Sequence, residues 1–227
     1  MDPLSGSPWS ARETVDGFAK SPPNPVLIRF AQEELRRCAG GRALDIGCGA
    51  GRNAVPLARM GWDVVGVDLS RPMLSAGAKR ARDVQLGDRL HWLLAPMDAI
   101  PFPDRSFDLV IAHGIWNLAR SGAESRKALG DAARASKPGA GLFVFTFSRN
   151  TFPLHTDPVP GESFVFTQFS GQPQCFLSAD QLVSELGLVG FAPEPAVPLT
   201  EYDRPGPGTL RSGAPPFICE AGSRRQD

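Results

Sequence analysis

Three glycines on alternate positions, Gly47, Gly49 and Gly51, have an acid before them and an arginine after them. They lie in Leu44-Asp45-Ile46-Gly47-Cys48-Gly49-Ala50-Gly51-Arg52-Asn53, between a stretch patterned as a strand and one patterned as a helix. Glycine lets a backbone turn sharply and approach a ligand with no Cβ in the way. In an open α/β sheet, ligands bind beyond the carboxyl ends of the strands, where such a loop lies. Asp68 ends the next apolar run, Val64-Val65-Gly66-Val67-Asp68. A carboxylate there can accept hydrogen bonds from both hydroxyls of a ribose, so loop and acid together read as a nucleoside site. The plainer alternatives are an ordinary strand-to-helix turn for the glycines and a helix N-cap or surface acid for Asp68.

The residues narrow the class of nucleoside. A GxGxxG dinucleotide fingerprint would place its third glycine at position 52, but Arg52 stands there and Gly51 comes one place early. Asp45 would repel a pyrophosphate at this loop. It would not repel a ligand carrying an ammonium and a sulfonium. The pattern favours a cationic, phosphate-free nucleoside over the cofactor of a nicotinamide oxidoreductase.

The elements that must hold these residues alternate along the chain. Short apolar runs at 43–46, 64–68, 90–94, 107–112 and 141–147 read as strands. Helical spacing occupies 26–37, 53–60, 72–84, 123–136 and 179–186, the last with Ser178 as N-cap. Such alternation predicts a mostly parallel sheet covered on both faces. Residues 1–24 read as a loose arm with one short helix, ended by Pro22-Pro23. Residues 149–177, rich in Pro, Gly and Phe, read as a loop-rich insertion with one strand at 163–167. Two last strands are expected within 188–200 and 214–221, a Pro/Gly turn at 203–213, and a frayed tail at 223–227.

With these motifs in order, the chain resembles the class I S-adenosylmethionine-dependent methyltransferases of small-molecule type. Residues 44–51 resemble their first motif and Val65-Gly66-Val67-Asp68-Leu69-Ser70 their second, with Met73 where the family often has methionine. Ala95-Pro96-Met97-Asp98-Ala99-Ile100-Pro101-Phe102 resembles the third, and Lys137-Pro138-Gly139-Ala140-Gly141 the turn before the fifth strand. The likeness covers about residues 40–150. It implies a Rossmann-like α/β fold with a seven-stranded, mostly parallel sheet, the last strand antiparallel. It also implies S-adenosyl-L-methionine as cofactor and a small-molecule substrate with an O, N or S nucleophile. Gly47, Gly49 and Gly51 would line the methionine part, with Cys48 between them and Asp45 near the ammonium. Asp68 would hold the ribose and Leu69 pack on adenine. Asp98, with Ala99 beside it, would face the adenine amino group. For Asp98, a solvated loop acid is the plainer alternative.

His113 follows the fourth strand, where the family's transfer site opens. It is a candidate general base and cofactor contact, or a hydrogen-bonded structural histidine. Trp116 and Phe164 are candidates for substrate binding; core packing is the alternative for both. Phe164, Phe166, Phe169 and Phe176 would form either an apolar cover or a packed strand. Trp9 and Phe18 would belong to a lid or to a disordered arm. The whole chain also fits a catalytically silent S-adenosylmethionine-binding module acting as partner or sensor.

Composition excludes several classes. The 24 basic and 24 acidic side chains of this 227-residue chain balance to zero, unlike a protein made to grip nucleic-acid backbone. The four cysteines form no CxxC pair and the three histidines no metal-ligand spacing, so reduced thiols, no metal and a cytoplasmic location are expected. No targeting segment is visible at the start, and no apolar stretch approaches the roughly 18 residues of a membrane span. Oligomeric state is not legible.

Overall fold

The computed structural model describes residues 1–38, 40–194, 199–202 and 217–224. The chain opens with a 3-10 turn at Pro8–Ser10 and continues through α1 (Arg12–Lys20), α2 (Pro25–Cys38), β1 (Arg42–Ile46), α3 (Ala54–Met60), β2 (Asp63–Asp68) and α4 (Arg71–Asp83). Then come β3 (Leu90–Leu94), β4 (Phe107–His113), a 3-10 turn at Trp116–Leu118, α5 (Gly122–Ala135) and β5 (Ser136–Phe147). A further 3-10 turn spans Arg149–Thr151. The rest is β6 (Val165–Phe166), β7 (Gln174–Cys175), α6 (Ala179–Leu188), β8 (Phe191–Pro193), β9 (Thr200–Tyr202) and β10 (Phe217–Arg224).

Five strands run parallel in the order β3-β2-β1-β4-β5, and β10 adds antiparallel to β5. Among the described residues the main sheet has eight strands, not the expected seven. The place beyond β10 is filled twice: β8 pairs with Gly222–Arg224 and β9 with Phe217–Cys219, both antiparallel. The order reverses at β1, whose neighbours are β2 and β4. That is the switch point at which connections leave to opposite faces and open a crevice.

Both faces are buried, which is why the strands read as nearly continuous apolar runs. Leu44, Ile46, Val110 and Val144 pack with Ala128 and Leu129 of α5 and with Leu182 and Leu186 of α6. Ala43, Leu109, Ile111 and Phe143 pack on the other face with Leu27 and Phe30 of α2 and Leu57 of α3. Strand alternation carries Asp45 and His113 onto that second face as well. Ser178 and Gln181 make a full capping box for α6.

The arm departs from the loose segment expected. Val15 of α1 is buried with Met73 of α4 and Ala50 of the glycine loop, and Phe18 packs against them. The Ser10 and Ser70 hydroxyls lie 3.0 Å apart, and Arg80 donates to the Ala19 carbonyl. The apolar face of α1 needs a partner, and the partner is α4. In residues 149–177 the expected strand at 163–167 shrinks to β6, which pairs with β7 in a two-stranded sheet. β5 begins earlier than expected because Ser136 already pairs with Phe107 ahead of an irregularity that masks the period. Residues 203–213 lie outside the described part, as do 225–227 of the tail. Among the described residues no helix is long and apolar enough to cross a membrane, and no cluster of His, Cys, Asp or Glu could hold a metal.

Candidate functional site

The glycine loop is fixed by backbone first. Gly47 and Cys48 both donate to the Val67 carbonyl of β2, and Gly51 donates to the Cys48 carbonyl. Gly47, Gly49 and Gly51 all take positive φ, which other residues adopt only at a cost of about 1–2 kcal/mol. Their surroundings differ. A Cβ on Gly51 would lie 2.5 Å from the Trp92 ring, and one on Gly47 2.7 Å from Ile115. A Cβ on Gly49 would come no nearer than 3.8 Å to Met73 and Phe18. Two glycines therefore admit neighbouring side chains, while at the middle one a Cβ would only touch Met73 and Phe18 at van der Waals distance.

Asp68 braces this loop to the next. One carboxylate oxygen accepts from the Gly49 N–H at 2.9 Å and the other from the Ser70 N–H at 2.8 Å. The N-cap of α4 is Ser70, whose hydroxyl accepts from Met73 N–H, so Asp68 is not itself the cap. Burial raises the Asp68 pKa, against the lowering effect of these N–H groups. Leu69 follows half-buried and Met73 is buried. Cys48 is buried against Gly66, and burial pushes its thiol well above the ordinary range; what it offers a ligand is backbone. Cys38, Cys48 and Cys175 are free thiols, and the side chain of Cys219 lies outside the described residues.

Asp45 is 1 % exposed, and its Oδ2 has no hydrogen-bond partner among the described residues. Burial raises its pKa to about 7, against the pull of Arg52. A buried carboxylate oxygen left without a donor costs about 1–3 kcal/mol, more when charged, unless a ligand supplies one. Beside it, Arg52 donates to His113 Nδ1 at 2.7 Å and lies 5.8 Å from the Phe18 ring centroid. His113 stacks on Phe145 at 4.5 Å between centroids, and Asn24 Nδ2 lies 3.2 Å from its Nε2. Burial first, and then the charge of Arg52, lower the His113 pKa to about 3. The imidazole is neutral at physiological pH and accepts a proton poorly, so this arrangement does not support the general-base role.

The structure thus gathers Asp45, Gly47, Cys48, Gly49, Gly51, Asp68, Leu69, Met73 and His113 at the switch point. Asp98 and Ala99 follow β3 in the next loop; Asp98 is paired with Lys127 of α5 at 2.8 Å. Trp116 and Phe164 are both nearly fully buried in one apolar cluster. The Trp116 Nε1 has no partner among the described residues, and Phe164 lies 5.5 Å from the Arg126 guanidinium. Phe166, Phe169 and Phe176 join Phe147 and Phe152 in a separate set of ring contacts at 4.6–6.1 Å. Sequence reasoning missed Asn24 and gave Arg52 no role. The Asn-Pro step at 24–25 was the available signal, since Asn24 caps α2 by accepting from Val26 and Leu27 N–H.

Residues 44–145 match a protein family described as a methyltransferase domain. The segment is similar to that family. A demethylmenaquinone methyltransferase of Renibacterium salmoninarum is 39% identical over 125 residues, covering 55% of this chain and 48% of that protein. The chain therefore aligns to about half the length of such relatives. An S-adenosylmethionine-dependent methyltransferase of Methanosarcina mazei superposes with a TM-score of 0.71 at 20% identity, covering 91% of this chain and 100% of that one. A second structure is the 1,6-didemethyltoxoflavin-N1-methyltransferase of Burkholderia thailandensis, with its substrate and S-adenosylhomocysteine bound. It gives 0.64 at 18% identity, over 88% and 78% of the two chains. The described residues thus have the α/β, Rossmann-like fold of these structures, with five parallel strands at the centre of the sheet.

Proposed function

We propose that this protein binds S-adenosyl-L-methionine between the glycine loop and the arm, and directs methyl transfer to a small-molecule acceptor. One observation carries the reading: the Oδ2 of Asp45, at the start of the glycine loop, is buried and has no hydrogen-bond partner among the described residues. A cationic amino-acid nucleoside satisfies that oxygen, and a pyrophosphate does not. The cofactor, when bound, supplies an already electrophilic methyl group.

The chain's own residues then orient and exclude water. Asp45 takes the ammonium, and Asp68 offers its remaining lone pairs to the ribose. The loop holding Leu69 and Met73, with that holding Asp98 and Ala99, walls the base. Residues 1–24 serve as a lid on the domain formed by residues 25–222, because α1 packs on α4 and places Phe18 over the loop. Alignment and exclusion of water are enough to remove several kcal/mol of barrier without a proton acceptor. His113 lines the transfer side as a neutral imidazole and is not assigned as a base. Trp116 and Phe164 back the acceptor space from the core, and residues 149–177 cover it. The relatives' demethylmenaquinone acceptor fits a site edged by phenylalanine rings.

Thermal shift with S-adenosylhomocysteine and, separately, with a nicotinamide dinucleotide tests the cofactor class. Stabilisation by the first alone is expected; stabilisation by the second alone ends the methyltransferase reading. Cofactor binding without methylated product from any acceptor would instead favour a silent binding module.

A further inference from the structure

The arm is held to the rest of the chain in two different ways. Asn24, at its end, is fixed by every polar group it has. Its N–H donates to Asn53 Oδ1 at 3.2 Å, and its Nδ2 lies 3.2 Å from His113 Nε2. Its Oδ1 accepts from the Val26 and Leu27 N–H groups, and its carbonyl from the Ile28 N–H. Between Asn24 and α1 lie Ser21, Pro22 and Pro23. The two prolines have no N–H, so the chain bends there without breaking a backbone hydrogen bond at either.

Residues 1–20, by contrast, rest on a single helix. Among the described residues, the hydrogen bonds that join them to the rest of the chain end on α4 or its N-cap. The Arg71 N–H donates to Asp2, and its Nε to the Met1 carbonyl. Arg80 donates to the Ala19 carbonyl. The Ser70 hydroxyl lies 3.0 Å from that of Ser10 and donates to the Trp9 carbonyl at 3.2 Å. The apolar seat is small, since Val15 is the one buried residue of α1. A unit with so few buried contacts opens at a free energy well below that of global unfolding.

As seated, this unit covers part of the glycine loop. A Cβ on Gly49 would touch Phe18 Cδ1 and Met73 Sδ, each at 3.8 Å, so the arm already meets the loop there. Its fastening and the loop's brace also share one turn. Asp68 accepts from the Ser70 N–H, while the Ser70 hydroxyl holds Ser10 and Trp9. This inference rests on the cofactor reading above. We propose that residues 1–20 are a gate hinged at residues 21–23, with Asn24 as its fixed pivot and Ser70 as its latch. The gate must leave α4 for the nucleoside to reach the loop, and it latches again on the turn that carries Asp68. A ligand held beneath the closed gate in turn holds the gate shut, because such coupling is reciprocal.

Hydrogen exchange of the wild type reads the gate directly, without ligand and with S-adenosylhomocysteine at about 100 times its Kd. The α1 amides from Val15 to Lys20 are expected to exchange through an opening that leaves β1 and β4 protected. Bound S-adenosylhomocysteine is expected to slow them about 100-fold. An α1 that exchanges only together with β1 and β4 overturns the gate. A lock gives a second reading. The close approach of the Ser10 and Ser70 hydroxyls lets a disulfide join these positions in the double variant Ser10→Cys/Ser70→Cys. Association of S-adenosylhomocysteine, followed by stopped flow, is expected to be at least about tenfold slower in oxidised S10C/S70C than in the same protein after reduction. Equal rates in the two forms overturn the gate, and where the disulfide does not form, exchange alone decides. If calorimetry shows no binding of S-adenosylhomocysteine to the wild type, the cofactor reading fails and takes this inference with it. Binding that leaves α1 exchange unchanged fails the gate alone.

Discussion

The two sides of the crevice at the carboxyl end of the sheet are built by different means. On the side of β1 and β2, backbone groups do most of the fixing: Val67 carbonyl holds two loop N–H groups, and Asp68 holds two more across two loops. On the side of β5, side chains from distant segments do it. Ser148 and Asn150 both donate to Glu201 of β9, and rings from residues 147–176 pack on one another. Backbone geometry of the first kind demands particular residues at fixed spacing. Contacts of the second kind leave residue type and spacing free to vary with the acceptor. On the proposed reading, the nucleoside side is therefore generic and the acceptor side particular.

The sharpest break in that comparison lies within the loop itself. Gly51→Ala drives a Cβ to 2.5 Å from the Trp92 ring at a positive φ, and should cost about 2–4 kcal/mol of stability in chemical denaturation. Gly49→Ala meets nothing closer than 3.8 Å, so only the backbone cost of about 1–2 kcal/mol is expected. Its larger effect should fall on S-adenosylhomocysteine binding, since the new methyl lies on the face of the loop proposed to meet the ligand, against Met73 and Phe18. Equal stability losses in the two variants would mean that the loop's glycines are all packing devices and that Gly49 borders no site.

Next comes the brace. Asp68→Asn keeps the shape but turns an NH2 toward either the Gly49 or the Ser70 N–H, and removes an acceptor for the ribose. Affinity for S-adenosylhomocysteine should fall about 10- to 100-fold, measured by calorimetry. A loss of stability with affinity intact would leave Asp68 as a structural brace alone.

How much of this was legible follows from the same division. The glycine loop, Asp45, Asp68, the five parallel strands and the helices between them all leave local signatures. Each depends on a short run of residues with a fixed period or a required backbone angle. The ordered arm did not, because α1 is stabilised by Met73 and Ala50, whose proximity no local pattern reveals. The split beyond β10 was hidden because β8 and β9 are three residues each, and the β6–β7 pair by its two-residue strands. His113 shows the limit within the site. Its place at the end of β4 was readable, but its burial between Arg52, Asn24 and Phe145 was not, and that burial sets its pKa.

A pH series sharpens the nucleoside side. In the free protein the Asp45 pKa is about 7, above its ordinary 3.8, so the folded state holds more protons than the unfolded one between these values. Stability from this group is therefore lost as pH rises from about 4 to about 7, and is level above that. His113 acts oppositely: its pKa, lowered from 6.5 to about 3, gives stability that is present above 6.5 and lost as pH falls toward 3. Binding separates the two. An ammonium beside Asp45 favours the carboxylate, so a proton leaves on binding. S-adenosylhomocysteine affinity should rise about tenfold from pH 6 to pH 8 and then level. Asp45→Asn should flatten that profile at a lower affinity, whereas a profile unchanged in D45N would place the ammonium elsewhere.

The smallest effect is expected on the acceptor side, where it serves as the control for all the others. Phe169 is 44 % exposed and lies 5.3 Å from the Phe147 ring and 5.7 Å from the Phe176 ring. Replacing it by serine removes a ring that the core scarcely needs, so stability should shift by no more than about 0.5–1 kcal/mol. S-adenosylhomocysteine affinity should stay within about twofold of wild type, since nothing in the loop touches this residue. Once an acceptor is found, its KM should rise about two- to fivefold with kcat held, as expected for lost uniform binding of about 1 kcal/mol or less. If F169S instead weakens the cofactor as much as the acceptor, the two sides of the crevice are coupled through the rings, and the division into a backbone-built half and a side-chain-built half does not hold.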